Sequence, residues 1–231
     1  MRALCDRHCG VGADGILEPA PTDRADHGVR IWNPDGSIAE KSGNGLRIFA
    51  FWLARDRGAG AQFRVDTGTD VVGCAVDGTE VTVQMGSGRV LWREAVAGLP
   101  VVAVSVGNPH AVVWRREADL DSLPWRDWGA TLETHPRFAA RTNVQIAASR
   151  GRGALEIRIW ERGAGETSAS GSSACAVAMA AIEDGLQPAD APLTIRAPGG
   201  PLTVTVHADR TLTLVGPVAP VGTIALDPGW C

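Results

Sequence analysis

Two short stretches of this chain hold residues whose types and spacing suit chemistry on a small anion: Ser42-Gly43-Asn44-Gly45 and Ser170-Gly171-Ser172-Ser173. Each leads into an apolar run that reads as a helix, over 46–57 and 174–182. The first amides of a helix have no partner inside it and lie at the positive end of its dipole, so both openings are suited to hold a carboxylate. Glycine lets such a group come close to the backbone. If the two openings converge on one ligand, Ser42 and Ser170 stand on opposite sides of it. That is the arrangement of a two-base stereoinversion, in which one group removes a proton from carbon and another delivers one to the opposite face.

Other chemistry-bearing motifs are weaker. Gly10-Val-Gly12-Ala-Asp-Gly15 fits G-x-G-x-x-G, but the dinucleotide fingerprint needs a strand before it and a helix after it. Pro19 and Pro21 exclude a helix start there, so these glycines read as a tight turn into a strand. Neither G-x-x-x-x-G-K-[ST] nor G-x-S-x-G occurs, which disfavours P-loop and α/β-hydrolase chemistry. His110 follows Asn108-Pro109 and reads as a structural hydrogen-bonder before a catalyst. Cys5, His8 and Cys9 lack a second ligand pair at a matching spacing, so no metal is expected. The five scattered cysteines suit reduced thiols. All four asparagines, Asn33, Asn44, Asn108 and Asn143, sit in turn-like clusters, a placement that their local side-chain hydrogen bonds favour. Lys41, the single lysine beside 21 arginines, adjoins Ser42. A desolvated lysine can lose its proton where arginine cannot, so Lys41 could assist Ser42 as a base; the plain alternative is a solvated flank.

Elements are needed to position these residues. Short β-branched runs dominate, at 29–32, 62–67, 71–76, 80–85, 101–106, 111–114, 143–147, 155–160, 193–196, 202–207 and 212–215. The strict alternation of apolar and charged residues over 155–159 has the period of a half-buried strand. Only the two helices above read firmly as helix, and both are apolar almost all round, so both are expected to be buried. Each is introduced by a strand, a polar turn and an acidic residue (Glu40, Glu166), which suggests two similar lobes. Their expected extents are 1–90, with 221–231 returning to the first lobe, and 91–220.

With 231 residues, 45% hydrophobic and 21% charged, the chain can bury a core as one large domain or two small lobes. A net charge of -4 without a basic run removes the electrostatic footprint of nucleic-acid binding. No run of 18 apolar residues and no signal-type opening occur, so the expected partner is neither nucleic acid nor membrane, and the expected location is cytoplasmic.

Five motifs then carry a resemblance. Asn33-Pro-Asp-Gly-Ser37, Ser42-Gly-Asn-Gly-Leu-Arg47, Gly107-Asn-Pro-His110, Arg141-Thr-Asn-Val144, and Glu161-Arg-Gly-Ala-Gly165 followed by Ala169-Ser-Gly-Ser-Ser-Ala-Cys175 resemble diaminopimelate epimerases in order and spacing, across nearly the whole chain. The resemblance implies an α+β fold of two similar β-rich lobes, each wrapped around a central helix, with the active site in the cleft between them. It implies no cofactor and a small-molecule amino-acid substrate, a diamino dicarboxylic acid epimerised between LL and meso forms for lysine and peptidoglycan-precursor biosynthesis. A homodimer is left open. Carried over by position, the amides of Gly43, Asn44, Gly171 and Ser172 would take the reacting α-carboxylate and Glu161 the α-ammonium. Asn33, Asn108, Asn143 and Arg162 would hold the distal amino-acid end.

The family places cysteines where this chain has Ser42 and Ser170, the implied base and acid. A thiol titrates near 8.5, and a helix N-terminus brings it towards neutrality. A hydroxyl has no comparable ionisation, so serine is a weak carbon base unless activated. Lys41, Ser172 and Ser173 also depart from the family's usual flanks, which points to a natural variant. Cys175, five residues beyond Ser170, reads as a small buried hydrophobe. The family opens with a strand and a Gly-x-Gly-Asn-Asp-Phe segment ahead of the Asp6-Arg7 motif; their lack here leads one to expect a late start or a truncated product. Two further readings stand beside the epimerase. One is a related isomerase of another small amino acid or phenazine-type substrate on the same fold, with Glu40 or Glu166 shuttling the proton. The other is a catalytically weak amino-acid-binding homologue.

Overall fold

The computed structural model describes residues 1–39, 41–116 and 119–230. The chain divides into two compact units, one formed by Met1–Val81 with the segment from Pro217 onward, the other by Thr82–Gly216.

The first unit contains the short helix α1 (Arg2–Cys5), strands β1 (Ile16–Ala20) and β2 (His27–Trp32), helix α2 (Gly43–Asp56), and strands β3 (Gln62–Asp66) and β4 (Val71–Asp77). Its strands lie in the order β1-β2-β3-β4. β1 and β2 are antiparallel, β2 and β3 parallel, and β3 and β4 antiparallel. A parallel pair needs a crossover, and α2 supplies it. Leu46, Phe49, Ala50 and Leu53 form its buried stripe at the i, i+3, i+4, i+7 spacing of an amphipathic helix. All-round burial of this helix does not hold: Ile48 is 51% exposed, and Arg55 and Asp56 face solvent.

Strand β5 (Glu80–Ser87) carries the division between units. The second unit continues with β6 (Arg89–Val96), β7 (Leu99–Ser105), β8 (Pro109–Arg115), a 3-10 turn (Leu120–Ser122), helix α3 (Trp125–Glu133), β9 (Asn143–Ser149), β10 (Ala154–Glu161), β11 (Gly165–Thr167), helix α4 (Gly171–Glu183), β12 (Leu193–Ala197), β13 (Gly200–Val206) and β14 (Thr211–Pro217). Its strand order is β14-β13-β12-β10-β9-β8-β7-β6, with β11 on β10. Only β8–β9 and β10–β12 pair in parallel among the registers described. The sheet wraps α4, which packs on β6, β7, β8, β9, β12 and β13. That environment suits its sequence, since Ser173 through Ala181 is buried without a break.

The fold is therefore α+β and rich in strands. Two elements depart from the sequence expectation. Residues 90 and 91, where the first expected extent ends and the second begins, lie within β6, which pairs with β7 inside the second unit. Helix α3 was not anticipated, although Trp125, Trp128 and Leu132 follow the i, i+3, i+7 spacing behind Pro124. It packs on β9 and β10, and Trp125 and Leu132 enter the core with Val101, Val113, Val144 and Ile146. Among the described residues, no helix is long and apolar enough to cross a membrane.

Candidate active site

In the first unit the chain leaves β2 through a tight turn over residues 33–37, which Gly36 permits with φ at +83°. Asn33 N donates to the Ser37 carbonyl at 2.9 Å, and Asn33 Nδ2 donates to Ser37 Oγ at 2.9 Å. The Ser37 hydroxyl and backbone N–H both donate to Asp35 and hold its carboxyl below the usual carboxylate range. Asn33 thus braces its own turn.

Ser42 is extended (φ -140°, ψ 113°) and opens α2 as its N-cap: its carbonyl accepts from Leu46 N at 2.9 Å and its Oγ from Gly45 N at 3.0 Å. Position 45 is tight for a side chain, since a Cβ there would lie 3.0 Å from Leu17 Cδ2 and 3.1 Å from Ser42 Oγ, so either neighbour would have to give by a few tenths of an ångström. Buried Arg47 reaches back to Asn44 Oδ1 (3.1 Å) and the Gly43 carbonyl (3.3 Å), which fixes the opening turn. The amides of Gly43 and Asn44 lie ahead of the first intrahelical bond. Lys41 directs its ammonium to Asp70, 3.6 Å away, an engagement that the sequence did not reveal. Glu40 lies outside the described residues.

In the second unit Ser170, also extended (φ -147°, ψ 122°), opens α4 and accepts the first helical bond from Ala174 N at 3.0 Å. Its side chain does not cap the helix. The Ser170 Oγ is instead 3.4 Å from Ser172 Oγ, in a residue only 5% exposed. The amides of Gly171, Ser172 and Ser173 precede the first intrahelical bond. The two serines therefore share backbone geometry and differ in what their hydroxyls do.

Three of the expected distal-end residues are tied together. Asn108 follows Gly107 (φ +99°) at the β7–β8 corner, with Oδ1 2.9 Å from His110 Nε2. His110 is wholly buried, and that burial pushes its ring down to about 3, so it is neutral at ordinary pH. Asn143 donates through Nδ2 to the Pro109 carbonyl (3.0 Å) and accepts at Oδ1 from Arg162 N (3.0 Å). It braces the start of β8 against the turn at 161–165. Arg162 is exposed and donates to the Ala140 carbonyl (3.1 Å), while Glu161 is half-buried at the end of β10.

Sequence reasoning missed what secures that turn. Buried Glu133, the last residue of α3, accepts from Gly163 N at 2.6 Å, Trp160 Nε1 at 2.8 Å and Arg141 Nη2 at 2.5 Å. Nothing local in the sequence marks it. The alternative shuttle Glu166 is held by a bidentate pair with Arg126, at 2.6 and 2.9 Å. Cys175 is fully buried inside α4, and burial pushes the Cys74 thiol up to about 12. Among the described residues, no three metal-ligating side chains gather into a group.

A family described as "Diaminopimelate epimerase" matches residues 1–91 and 102–220. A diaminopimelate epimerase of Desulforudis audaxviator is 39% identical over 226 residues, covering 88% of this chain and 80% of that protein. Among solved structures, a probable proline racemase from Agrobacterium radiobacter K84 superposes with a TM-score of 0.70 at 16% identity, covering 99% of this chain and 81% of that one. A PhzF-family phenazine biosynthesis protein from Bacillus anthracis gives a TM-score of 0.69 at 14% identity, covering 90% and 82%. At these identities the two structures speak for the fold alone.

Proposed function

Because this chain belongs to the diaminopimelate epimerase family, we propose that it interconverts LL- and meso-diaminopimelate by exchanging the proton on one α-carbon, with Ser42 and Ser170 at the two proton-transfer positions. The reading uses no cofactor, and it makes the chain a cytoplasmic enzyme of lysine and peptidoglycan-precursor synthesis. The observation that carries the site assignment is the repeated helix opening. Each serine is the extended residue whose carbonyl takes the first helical bond, and each is followed by amides that precede that bond.

Removing a proton from an α-carbon pushes negative charge into the adjoining carboxylate. Amide donors from Gly43, Asn44, Gly171 and Ser172 stabilise that charge where it develops. Glu161 takes the α-ammonium, and Asn33, Asn108, Asn143 and Arg162 take the distal amino-acid end. The hydroxyl remains the weak part of the device. The Gly45 N–H donated to Ser42 Oγ favours an oxygen that gains negative charge, but a thiol loses its proton far nearer neutrality.

The test is deuterium uptake at the α-carbon of LL-diaminopimelate in deuterated water, followed by NMR with the appearance of the meso form. The expected result is measurable uptake by the parent and a faster rate for Ser42→Cys combined with Ser170→Cys. Ligand binding without any uptake, in both proteins, would leave an amino-acid-binding homologue and defeat the epimerase reading.

A further inference from the structure

Behind the opening of α4 runs a line of polar side chains that the proposed proton transfer does not use. His110, Gln145 and Ser173 are each completely buried. His110 lies on β8 opposite Asn143 of β9, and Gln145 lies opposite Val112. Residues two apart on a strand share a face, so the His110 and Gln145 side chains leave the same face of adjacent strands, one step apart. α4 packs on both strands.

Two contacts are explicit: His110 Nε2 to Asn108 Oδ1 at 2.9 Å, and Gln145 Nε2 to Ser173 Oγ at 2.9 Å. Two buried atoms are then left without a partner, His110 Nδ1 and Gln145 Oε1, although the Gln145 side chain bears on the His110 ring. Buried polar atoms are almost always paired. Which end of a side-chain amide is oxygen is an assignment that the hydrogen-bond network must decide. With the Gln145 amide turned over, the two orphaned positions become complementary, a donor at Gln145 Nε2 and an acceptor at His110 Nδ1. The Ser173 hydroxyl then donates to Gln145 Oε1, Gln145 Nε2 donates to His110 Nδ1, and the His110 Nε2–H donates to Asn108 Oδ1. A neutral imidazole has one donor and one acceptor nitrogen, which is what this order requires.

We infer that Ser173, Gln145 and His110 form a buried positioning relay that fixes the Asn108 amide with its oxygen inward and its N–H donors outward. Gln145 and Ser173 are thereby positioning residues, acting through Asn108 on the ligand end that it meets. An outward NH₂ group recognises a carboxylate and discriminates against an ammonium, and the relay ties that preference to the opening turn of α4. The ligand-facing half of this inference rests on the reading that Asn108 meets the distal end of the substrate.

The first experiment needs no ligand. In protein labelled with ¹⁵N-histidine, NMR reads the tautomer of His110 directly. The relay requires the neutral Nε2–H form between pH 5 and 8, with a displaced Nδ1 resonance in Gln145→Leu and in Ser173→Ala. An Nδ1–H tautomer in the parent reverses the relay and overturns the inference. The second experiment compares the binding of diaminopimelate with that of lysine, which lacks the distal carboxylate, by calorimetry. The parent is expected to prefer diaminopimelate by about tenfold or more, since a polar site rejects a ligand lacking its partner group. Gln145→Leu should compress that preference to about twofold while remaining folded by its melting curve. An unchanged preference in the folded variant overturns the relay. Absence of deuterium uptake with the preference intact counts only against the epimerase reading, so the two failures are separable.

Discussion

Replacing Glu133 by glutamine changes one atom of a buried side chain and removes a pattern that only a carboxylate can satisfy. Oε1 accepts from Gly163 N and Arg141 Nη2, and Oε2 accepts from Trp160 Nε1, so all three contacts arrive as donors. A glutamine offers one oxygen and one NH₂. Whichever way it turns, at least one donor faces another donor and is left unpaired. An orphaned buried donor costs about 1–3 kcal/mol. The Arg141 guanidinium is half-exposed and returns to water, so its contribution is discounted towards zero. The expected loss is therefore about 1–3 kcal/mol, or roughly 2–4 °C in melting temperature per kcal/mol for a chain of this length. Glu133→Ala orphans both neutral donors and should lose more, about 2–6 kcal/mol. The assay is thermal melting followed by circular dichroism, with amide hydrogen exchange at Gly163 as the local readout. If Glu133→Gln melts with the parent and Gly163 exchanges no faster, the carboxylate does not secure the 161–165 turn.

The helix openings should respond differently to truncation. Ser42→Ala loses a capping bond and about 1 kcal/mol, whereas Ser170→Ala, with no cap to lose, should lose less than Ser42→Ala; the reverse order in urea unfolding would contradict both cap assignments. Gly129→Ala would place a Cβ 2.7 Å from Trp160 Cβ and Cγ, so overpacking of about 1–3 kcal/mol should exceed the helix-propensity gain of about 1 kcal/mol and lower the melting temperature. His110 titrates at 6.5 when unfolded and near 3 when folded. Between those values the unfolded chain holds a proton that the folded chain lacks, so stability should fall as pH drops from 6.5 towards 3. His110→Phe should flatten that limb of the stability curve, and an unchanged slope would show that the ring is not buried neutral.

What the sequence determined by itself was local. A serine followed by glycine and an apolar run defines a helix opening, and the four asparagines in their turns, with the family motifs around them, mark the candidate ligand contacts. β2, β9 and β10 were legible because their apolar residues follow a strand's own pattern. Tertiary structure decided what each marked residue does. Ser42 caps its helix and Ser170 does not, although their flanks read alike, because Ser170 Oγ faces Ser172 instead of the amide three residues on. Asn143 became a brace when parallel pairing set it opposite His110, within reach of Pro109 and Arg162. Glu133 was invisible because its donors Arg141, Trp160 and Gly163 lie 8, 27 and 30 residues away in the chain. Gln145 and Ser173 meet across 28 residues. A residue's period along the chain reveals which face it occupies, but a buried hydrogen bond depends on which distant donor the fold carries to that face, and that is set only when the strands and helices pack.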